Sequence, residues 1–351
     1  MGSKKKKVVI GLLATAAGIS IATAATSIIA YEKMFPRVER PDYALTPGEY
    51  CYERVQDKLL RTEFYYTVDD VKLKGYYYAA AESKGLVVVS HGMKSGGDDY
   101  LPIIMYMVNA GYNVFSYNCR GTYESEGEDP VGMCQSLIDL EGTIKYIKSV
   151  DALARMPLFL IGHSWGGYAA TSVLSLCDGI RACASIAAMH DACMLMTEKA
   201  EEYVGKIGKL PEPVFNLYQK LIFQDYVNCN AIRGINRSNI PVLVAHGRTD
   251  KTISYGKQSI IAYQDEITNP YVRYYIGEGL QGSHTGIWHS VASEQYQRQV
   301  KADLRALENE KGRSLTYEEK TAFYGSVDHA LYSEVNAELM EQIVQMFDEN
   351  L

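Results

Sequence analysis

Short apolar runs alternate with stretches of helical periodicity through the middle of the chain. Runs without polar alternation are typical of strands buried on both faces of a parallel sheet. Apolar positions three and four residues apart are typical of helices that pack on such a sheet. The pattern therefore predicts an α/β fold, with a mostly parallel central sheet and helices on both faces. The apolar runs are residues 85–90, 112–117, 158–162, 181–188, 240–245 and 271–276, and the helical stretches include residues 100–109 and 135–149.

The two ends of this pattern differ from its middle. Residues 62–80 alternate between apolar and polar side chains on either side of Asp69 and Asp70, which predicts a β-hairpin. Residues 290–351 are charged and largely helical, and the apolar side chains within 339–347 share one stripe. We therefore expect the last helix to dock on the sheet.

The first thirty residues are predicted to form a membrane anchor. A basic stretch, residues 1–7, precedes residues 8–30, an uncharged run long enough to cross a bilayer as one helix. The lysines favour a cytoplasmic N-terminus, which places the rest of the chain outside the cytoplasm at the cell membrane. The basic residues Lys33, Arg37 and Arg40 on the far side weaken this asymmetry. A cleaved signal peptide is the alternative, because residues 22–24 have the form of a cleavage site.

Three further segments follow the anchor. Residues 31–61 are predicted to be a linker, because Pro36, Pro41 and Pro47 discourage regular structure. Residues 62–351 are long enough to form one large domain with its own core. Within this domain, residues 189–239 contain no clear strand and are rich in Met, Tyr and Phe.

Composition excludes several classes of function. The chain has 351 residues and a net charge of −7, with no basic stripe beyond the N-terminus, so no nucleic-acid partner is expected. Its seven cysteines show neither a CxxC pair nor a Cys/His spacing for metal, and their odd number argues against a full disulfide framework. We expect them to be small buried apolar residues. No nucleotide or flavin motif is present.

A Gly-x-Ser-x-Gly motif, residues 162–166, lies between an apolar run and a helical run. Glycines are needed where a strand turns so sharply into a helix that a Cβ would collide with neighbouring backbone. Such a turn exposes the serine at the N-terminus of a helix, where backbone N–H groups can stabilise an oxyanion. Ser164 is therefore a candidate nucleophile, and an ordinary strand–helix turn is the alternative.

Polar motifs follow three other predicted strands, at the edge of the sheet where ligands bind in α/β folds. His91-Gly92, Arg120-Gly121 and His246-Gly247-x-x-Asp250, together with the serine motif, resemble those of the α/β-hydrolases. The resemblance is to the serine-hydrolase group that includes monoacylglycerol-lipase-like and serine-aminopeptidase-like proteins, and to its membrane-anchored bacterial members. It covers roughly residues 62–290. The sequence departs from the family at residues 122–124 and in its long tail after residue 290.

The resemblance implies a catalytic triad in the chain order Ser, Asp, His. Ser164 would be the nucleophile and Asp250 the acid that orients the base. The base would be His284, which lies in a glycine-rich loop after the last strand. His289 and His329 are the alternatives, and His329 would require residues 290–325 to be an insertion.

The resemblance also implies the surroundings of the triad. The backbone N–H groups of Met93 and Trp165 would form the oxyanion hole. Residues 189–239 would form a helical lid, or else only pack on the domain. The side chains predicted for the apolar face of this lid are Met194, Met196, Tyr203, Phe215, Tyr218 and Phe223.

These features predict a serine hydrolase that needs no cofactor and cleaves a carboxylic ester of a small or lipid acyl substrate through an acyl-enzyme. A serine aminopeptidase-like peptidase is the first alternative. Such an enzyme needs a carboxylate for the substrate amine, and Glu124, Glu126 and Glu201 are candidates. A catalytically inactive α/β-hydrolase scaffold used for binding is the second.

Overall fold

The computed structural model describes residues 25, 28, 29, 31–192, 194, 195 and 212–351. Apart from three positions, the predicted anchor at residues 8–30 lies outside the described residues, so it stays a prediction. Within the part of the chain that the structure describes, no helix is both long and apolar enough to cross a membrane.

An eight-stranded sheet forms the centre of the fold. Its strand order is β1-β2-β4-β3-β5-β6-β7-β8. The strands are β1 Arg61–Val68, β2 Val71–Tyr78, β3 Leu86–Ser90, β4 Asn113–Tyr117, β5 Leu158–His163, β6 Ile180–Ile186, β7 Val242–Gly247 and β8 Val272–Gly277. Strands β3 to β8 are parallel to one another, and β2 is antiparallel to both of its neighbours. The prediction of a mostly parallel sheet is confirmed.

Helices connect the strands and form the C-terminal segment. They are α1 Leu101–Asn109, α2 Gln135–Ser149, α3 Asp151–Ala154, α4 Trp165–Ser172, α5 Glu212–Phe223, α6 Ala231–Ser238, α7 Val291–Lys311, α8 Tyr317–Gly325, α9 His329–Tyr332 and α10 Ala337–Asp348. The predicted helix at residues 135–149 is confirmed, and its first and last residues agree with the prediction.

Alternate side chains of the central strands β3 and β5 enter different cores. Val88 and Leu160 lie in the core that contains side chains of α2, α4 and α6. Val87 and Phe159 lie in the opposite core, with side chains of α1 and α10. The ring of Phe347 stacks on Phe159 with centroids 4.6 Å apart. The expected docking of the last helix is therefore confirmed, as is the presence of helices on both faces.

The β1–β2 hairpin turns at the two predicted aspartates. Val68 pairs with Val71, so Asp69 and Asp70 are the whole loop. Their φ angles are 45° and 63°. Two-residue hairpin loops of the type that matches strand twist need a positive φ at both positions, and aspartate tolerates it better than most residues.

Residues 31–61 differ from the predicted linker because they are packed on the domain. The guanidinium of Arg37 donates to the carbonyl oxygens of Tyr123 (2.6 Å) and Gly127 (2.6 Å). Val38 pairs with Thr122 in an isolated parallel bridge. The Arg37 bonds come from a side chain, and the backbone bridge at Val38 is a single pair, so no periodicity in the sequence predicts this contact.

An ion cluster adds to this attachment. Arg40 binds Asp98 at 2.7 Å and also pairs with Glu124, while Arg61 binds the other oxygen of Asp98 at 3.0 Å. Asp98 is buried, and a buried carboxylate needs such partners. The cluster therefore ties residues 31–61 to the segment that follows β3.

The described residues of the predicted lid, 189–192, 194, 195 and 212–239, include two differently placed parts. A Cβ added to Gly234 of α6 would overlap the carbonyl oxygen of Thr171, so α6 lies directly on α4 and belongs to the body of the domain. Phe215 of α5 packs against Tyr31, with ring centroids 6.1 Å apart. Of the predicted apolar face, Phe215 and Phe223 are buried, Tyr218 is half-buried and Met194 is exposed, whereas Met196 and Tyr203 lie outside the described residues.

The six described cysteines are unpaired, and five of them are buried. The expectation of small buried apolar residues is confirmed for these five positions. Cys193 lies outside the described residues.

Candidate active site

The turn between β5 and α4 has the geometry that its glycines predict. Ser164 has φ 55° and ψ −117°, a backbone conformation that residues other than glycine rarely adopt. A Cβ added to Gly162 would overlap the carbonyl oxygen of Gly166, and one added to Gly166 would overlap that of Ser90. Ser164 is therefore held in strained backbone by neighbours that leave no room for a side chain.

We expect Gly166→Ala to destabilise the fold by about 3 kcal/mol, the upper end for overpacking, because backbone rather than a flexible side chain blocks the added methyl. Gly256→Ala is the matched control, since its added Cβ meets nothing within 4 Å. Urea unfolding of both variants measures the difference. Equal midpoints would show that the turn accommodates the methyl group.

Ser164, His284 and Asp250 lie within hydrogen-bond distance of one another. His284 Nε2 lies 2.9 Å from Ser164 Oγ, and His284 Nδ1 lies 2.7 Å from Asp250 Oδ2. A carboxylate only accepts, so Nδ1 carries the proton and Nε2 is free to accept from the serine hydroxyl. This arrangement can activate the hydroxyl as a nucleophile.

The carboxylate of Asp250 is held from several sides just after β7. Its Oδ1 accepts from the backbone N–H groups of Thr252 (2.7 Å) and Ile253 (2.9 Å). His246 Nε2 lies 3.3 Å from Oδ2. Burial alone would raise the pKa of Asp250, but the hydrogen bonds from His246, His284 and the backbone hold it well below its ordinary value. Asp250 is therefore charged at neutral pH, as the partner of an imidazolium must be.

The other two candidate bases contact different partners. His289 Nε2 lies 3.3 Å from Tyr50 Oη, and His329 Nδ1 donates to the carbonyl oxygen of Pro47 at 2.7 Å. Both histidines thus contact residues 31–61. The structure brings His284 to Ser164 and places His289 and His329 elsewhere, while the catalytic role of His284 stays a prediction.

The predicted oxyanion-hole residues flank the serine. Trp165 is the first residue of α4, so its backbone N–H has no partner within the helix. The turn with Met93 lies against the serine, since a Cβ added to Gly92 would be 3.5 Å from Ser164 Cβ. The assignment of both N–H groups to an oxyanion hole stays a prediction.

His91 joins the turns after two neighbouring strands. Its Nδ1 lies 2.8 Å from the carbonyl oxygen of Gly92, and the N–H of Cys119 donates to its Nε2 at 2.9 Å. Burial lowers the pKa of His91 to about 4, so the ring is neutral at physiological pH. These contacts agree with a structural role for His91, which holds the two turns together, rather than with a role as a base.

Sequence reasoning missed Tyr100. Its hydroxyl lies 2.9 Å from the N–H of Gly92 and 2.7 Å from Nδ1 of His163. Tyr100 stands directly before α1, in a helical stretch whose sequence gives no sign of a role in the site. His163 belongs to the serine motif, but its contacts depend on a loop 121 residues away.

No group of three or more His, Cys, Asp or Glu side chains that could hold a metal ion occurs among the described residues.

Comparisons with known proteins find similarity to hydrolases. A family model described as serine aminopeptidase, S33, matches residues 81–221. The lysophosphatidylserine lipase ABHD12 of Danio rerio is 26% identical over 190 residues, which are 51% of this chain and 47% of that protein. The chain thus spans about half the length of the curated relative it matches.

Solved structures share the fold at low identity. The esterase Pf2001 of Pyrococcus furiosus is similar with a TM-score of 0.54 and 18% identity, over 78% of this chain and 99% of that one. A second crystal form of that esterase gives a TM-score of 0.52 and 20% identity, over 77% and 95% of the two chains.

The strand order, the turn at Ser164 and the similarity to solved structures define the class of protein by its fold: the chain has the α/β-hydrolase fold. The family model that matches residues 81–221 and the curated relative are both hydrolases by name, an aminopeptidase and a lipase respectively.

Proposed function

We propose that this protein is a serine hydrolase that cleaves a carboxylic ester of a small or lipid acyl substrate. The observation that carries the proposal is the continuous hydrogen-bonded series from Ser164 Oγ through His284 to Asp250. The similarity to a lipase and to an esterase supports the ester as the bond that is cleaved.

The reaction proceeds in two halves. Ser164 Oγ attacks the ester carbonyl carbon while His284 Nε2 takes the hydroxyl proton, and the carbonyl oxygen becomes an oxyanion that accepts from the N–H groups of Met93 and Trp165. His284 then gives its proton to the leaving alcohol, which leaves an acyl-serine. Water, deprotonated by His284, attacks the acyl carbon and releases the acid and free Ser164.

The carboxylates proposed for an aminopeptidase are already engaged or lie outside the described residues. Glu124 pairs with Arg40 and also accepts from Tyr76 Oη at 3.1 Å. Glu126 accepts from the backbone N–H of Lys72 at 3.0 Å. Since Glu124 has a cation beside it, it is poorly suited to hold a substrate ammonium group. Glu201 lies outside the described residues. These contacts favour the ester over the peptide bond.

The test compares two substrate series with the full-length protein in detergent. We expect p-nitrophenyl esters to be hydrolysed with a kcat/KM at least about 100-fold above that of aminoacyl p-nitroanilides, because an ester needs no site for an amine. Faster cleavage of the anilides would favour the aminopeptidase. A folded protein that cleaves neither series would favour the binding scaffold.

We further propose that residues 8–30 anchor the protein in the cell membrane, with the catalytic domain on the extracytoplasmic side. Tyr31, which follows this segment directly, is buried against Phe215 of α5, so the chain leaves the predicted anchor beside this helix. The outer face of α5 carries Leu217 and Leu221, which are 60% and 71% exposed. An apolar face next to an anchor is suited to contact lipid.

Leu217→Ser with Leu221→Ser is expected to lower kcat/KM for an ester presented in phospholipid vesicles by about 10-fold, because two leucines lose their burial in lipid. Hydrolysis of soluble p-nitrophenyl acetate should be unchanged. Leu60→Ser is the control, since Leu60 is 73% exposed before β1. An equal loss on the soluble ester would show that α5 acts on the site rather than on the membrane.

A further inference from the structure

We propose that Tyr100 and His163 are positioning residues that join the turn containing Gly92 to the backbone of His284. The inference rests on the proposed serine-hydrolase function, since it assigns His284 the role of base. Neither side chain needs to contact substrate. Their task is to fix the distance between the two loops that approach Ser164, the turn with Gly92 and the loop with His284.

Three hydrogen bonds join Gly92, Tyr100, His163 and His284 in series. The direction of each follows because the N–H of Gly92 can only donate and the carbonyl oxygen of His284 can only accept. The carbonyl oxygen of His284 only accepts, so His163 Nε2, 3.0 Å away, must carry a proton. In a neutral ring Nδ1 is then an acceptor, and it takes the proton of the Tyr100 hydroxyl at 2.7 Å. The phenolic oxygen is left free to accept from the N–H of Gly92 at 2.9 Å. All three bonds are satisfied by one tautomer.

The surroundings keep this tautomer in place. Tyr100 and His163 are buried, and the indole of Trp288 stacks on the Tyr100 ring with centroids 6.0 Å apart. The titratable groups that face His163 are Tyr100, His284, His289 and Asp250. Burial, and then the neighbouring His284, lower the pKa of His163 to about 3. The ring therefore remains neutral wherever a histidine base can work.

Neutrality matters because the two histidine rings are close. Their centroids are 4.9 Å apart. His284 becomes an imidazolium during the proposed acylation, and a second positive charge at this distance would oppose it. A neutral His163 instead donates to the backbone of His284 without competing for the proton. His284 is thus held at two places. Its ring contacts Ser164 and Asp250, and its backbone carbonyl oxygen accepts from His163.

The test uses amide side chains that replace one ring nitrogen at a time. In His163→Gln the amide nitrogen occupies the place of Nε2 and still donates to His284. In His163→Asn the amide reaches only the place of Nδ1, so the bond to His284 is lost. We expect the asparagine variant to lose about 100-fold in kcat for p-nitrophenyl ester hydrolysis, with KM within about threefold, because small misplacements of a catalytic group cost this much. The glutamine variant should recover to within about 10-fold of wild type.

Tyr100→Phe removes the link to Gly92 and leaves His284 held by His163. We expect a loss of about 10-fold in kcat, smaller than that of His163→Asn, because the N–H of Gly92 loses its acceptor and the neighbouring oxyanion donor is less well fixed. Equal kcat values for the asparagine and glutamine variants would overturn the proposal.

A second readout is independent of activity. In ¹⁵N–¹H correlation spectra of the Ser164→Ala protein, the ring of His163 should carry its proton on Nε2 and show no titration between pH 5 and pH 8, as its lowered pKa requires. Titration in this range, or a proton on Nδ1, would overturn the proposal even if no substrate is known. Conversely, an inactive wild type with the expected spectrum would refute the proposed function and leave the hydrogen-bonded link established.

Discussion

Ser164→Ala is expected to reduce kcat for p-nitrophenyl ester hydrolysis by about 10⁵- to 10⁶-fold, the loss seen when the nucleophile of a serine triad is removed. His284→Ala should cause a loss of similar size, because a serine hydroxyl without a base in contact is a poor nucleophile. The double variant should be no slower than either single variant, since the two residues act as one unit. Rates are compared at saturating substrate, and circular dichroism checks that each variant is folded.

His289→Ala and His329→Ala are the matched controls. Both histidines follow Asp250 in the chain, and both are bound to residues 31–61 rather than to Ser164. We expect each to retain kcat within about threefold of wild type, because surface or packing positions act on stability rather than on the chemical step. Loss of activity with His329→Ala and retention with His284→Ala would move the base into the C-terminal segment and contradict the triad proposed above.

The second large effect is expected at Asp250. Asp250→Asn should lower kcat by about 10⁴-fold with little change in KM. An asparagine can present an N–H donor to His284 Nδ1, which favours the tautomer with its proton on Nε2, and that nitrogen can no longer accept from Ser164. The negative charge that stabilises the imidazolium is lost as well. Single-turnover kinetics, which isolate the acylation step, are the direct measurement.

Asp139→Asn is the control for this substitution. Asp139 is also a buried aspartate with both oxygens engaged, by the N–H of Arg120 at 2.8 Å and by Gln135 Nε2 at 2.8 Å. It lies on α2, in contact with neither Ser164 nor His284. We expect this variant to lose stability but to keep kcat within about threefold. If both asparagine variants lost activity equally, the effect at Asp250 would reflect disturbance of the fold rather than a role in the proton transfer.

The local features of the fold could be predicted from the sequence because they depend on neighbours in the chain. A strand buried on both faces must be apolar throughout, so β3 to β7 coincide with apolar runs to within two residues at each end. Gly162 marks the turn at Ser164 because the backbone of Gly166, four residues on, leaves no room for a side chain, whereas Gly166 itself is blocked by Ser90 of β3. Asp69 and Asp70 mark the hairpin for a different local reason, because the two-residue loop needs a positive φ at both positions.

The sequence motifs also predicted Ser164, Asp250 and His284 as site residues, with two other histidines as alternatives, but the contact between His284 and Ser164 is seen only in the tertiary structure. Ser164 and His284 are 120 residues apart, and their contact depends on where the loop after β8 lies relative to the turn after β5. The docking of residues 31–61 through Arg37 was not predictable for the same reason. That attachment uses one long polar side chain and backbone carbonyl groups 86 and 90 positions away, which leave no periodic trace in the sequence.

The sequence by itself therefore determined the strands, the helices at residues 101–109 and 135–149, the tight turn at Ser164 and the candidates Asp250 and His284. Only the tertiary structure decided which histidine contacts Ser164, and only it revealed the link from Gly92 through Tyr100 and His163 to His284. Periodicity is set within one element, whereas a hydrogen bond between loops, like the close approach of Ser90 to Gly166, depends on the order in which the strands lie in the sheet.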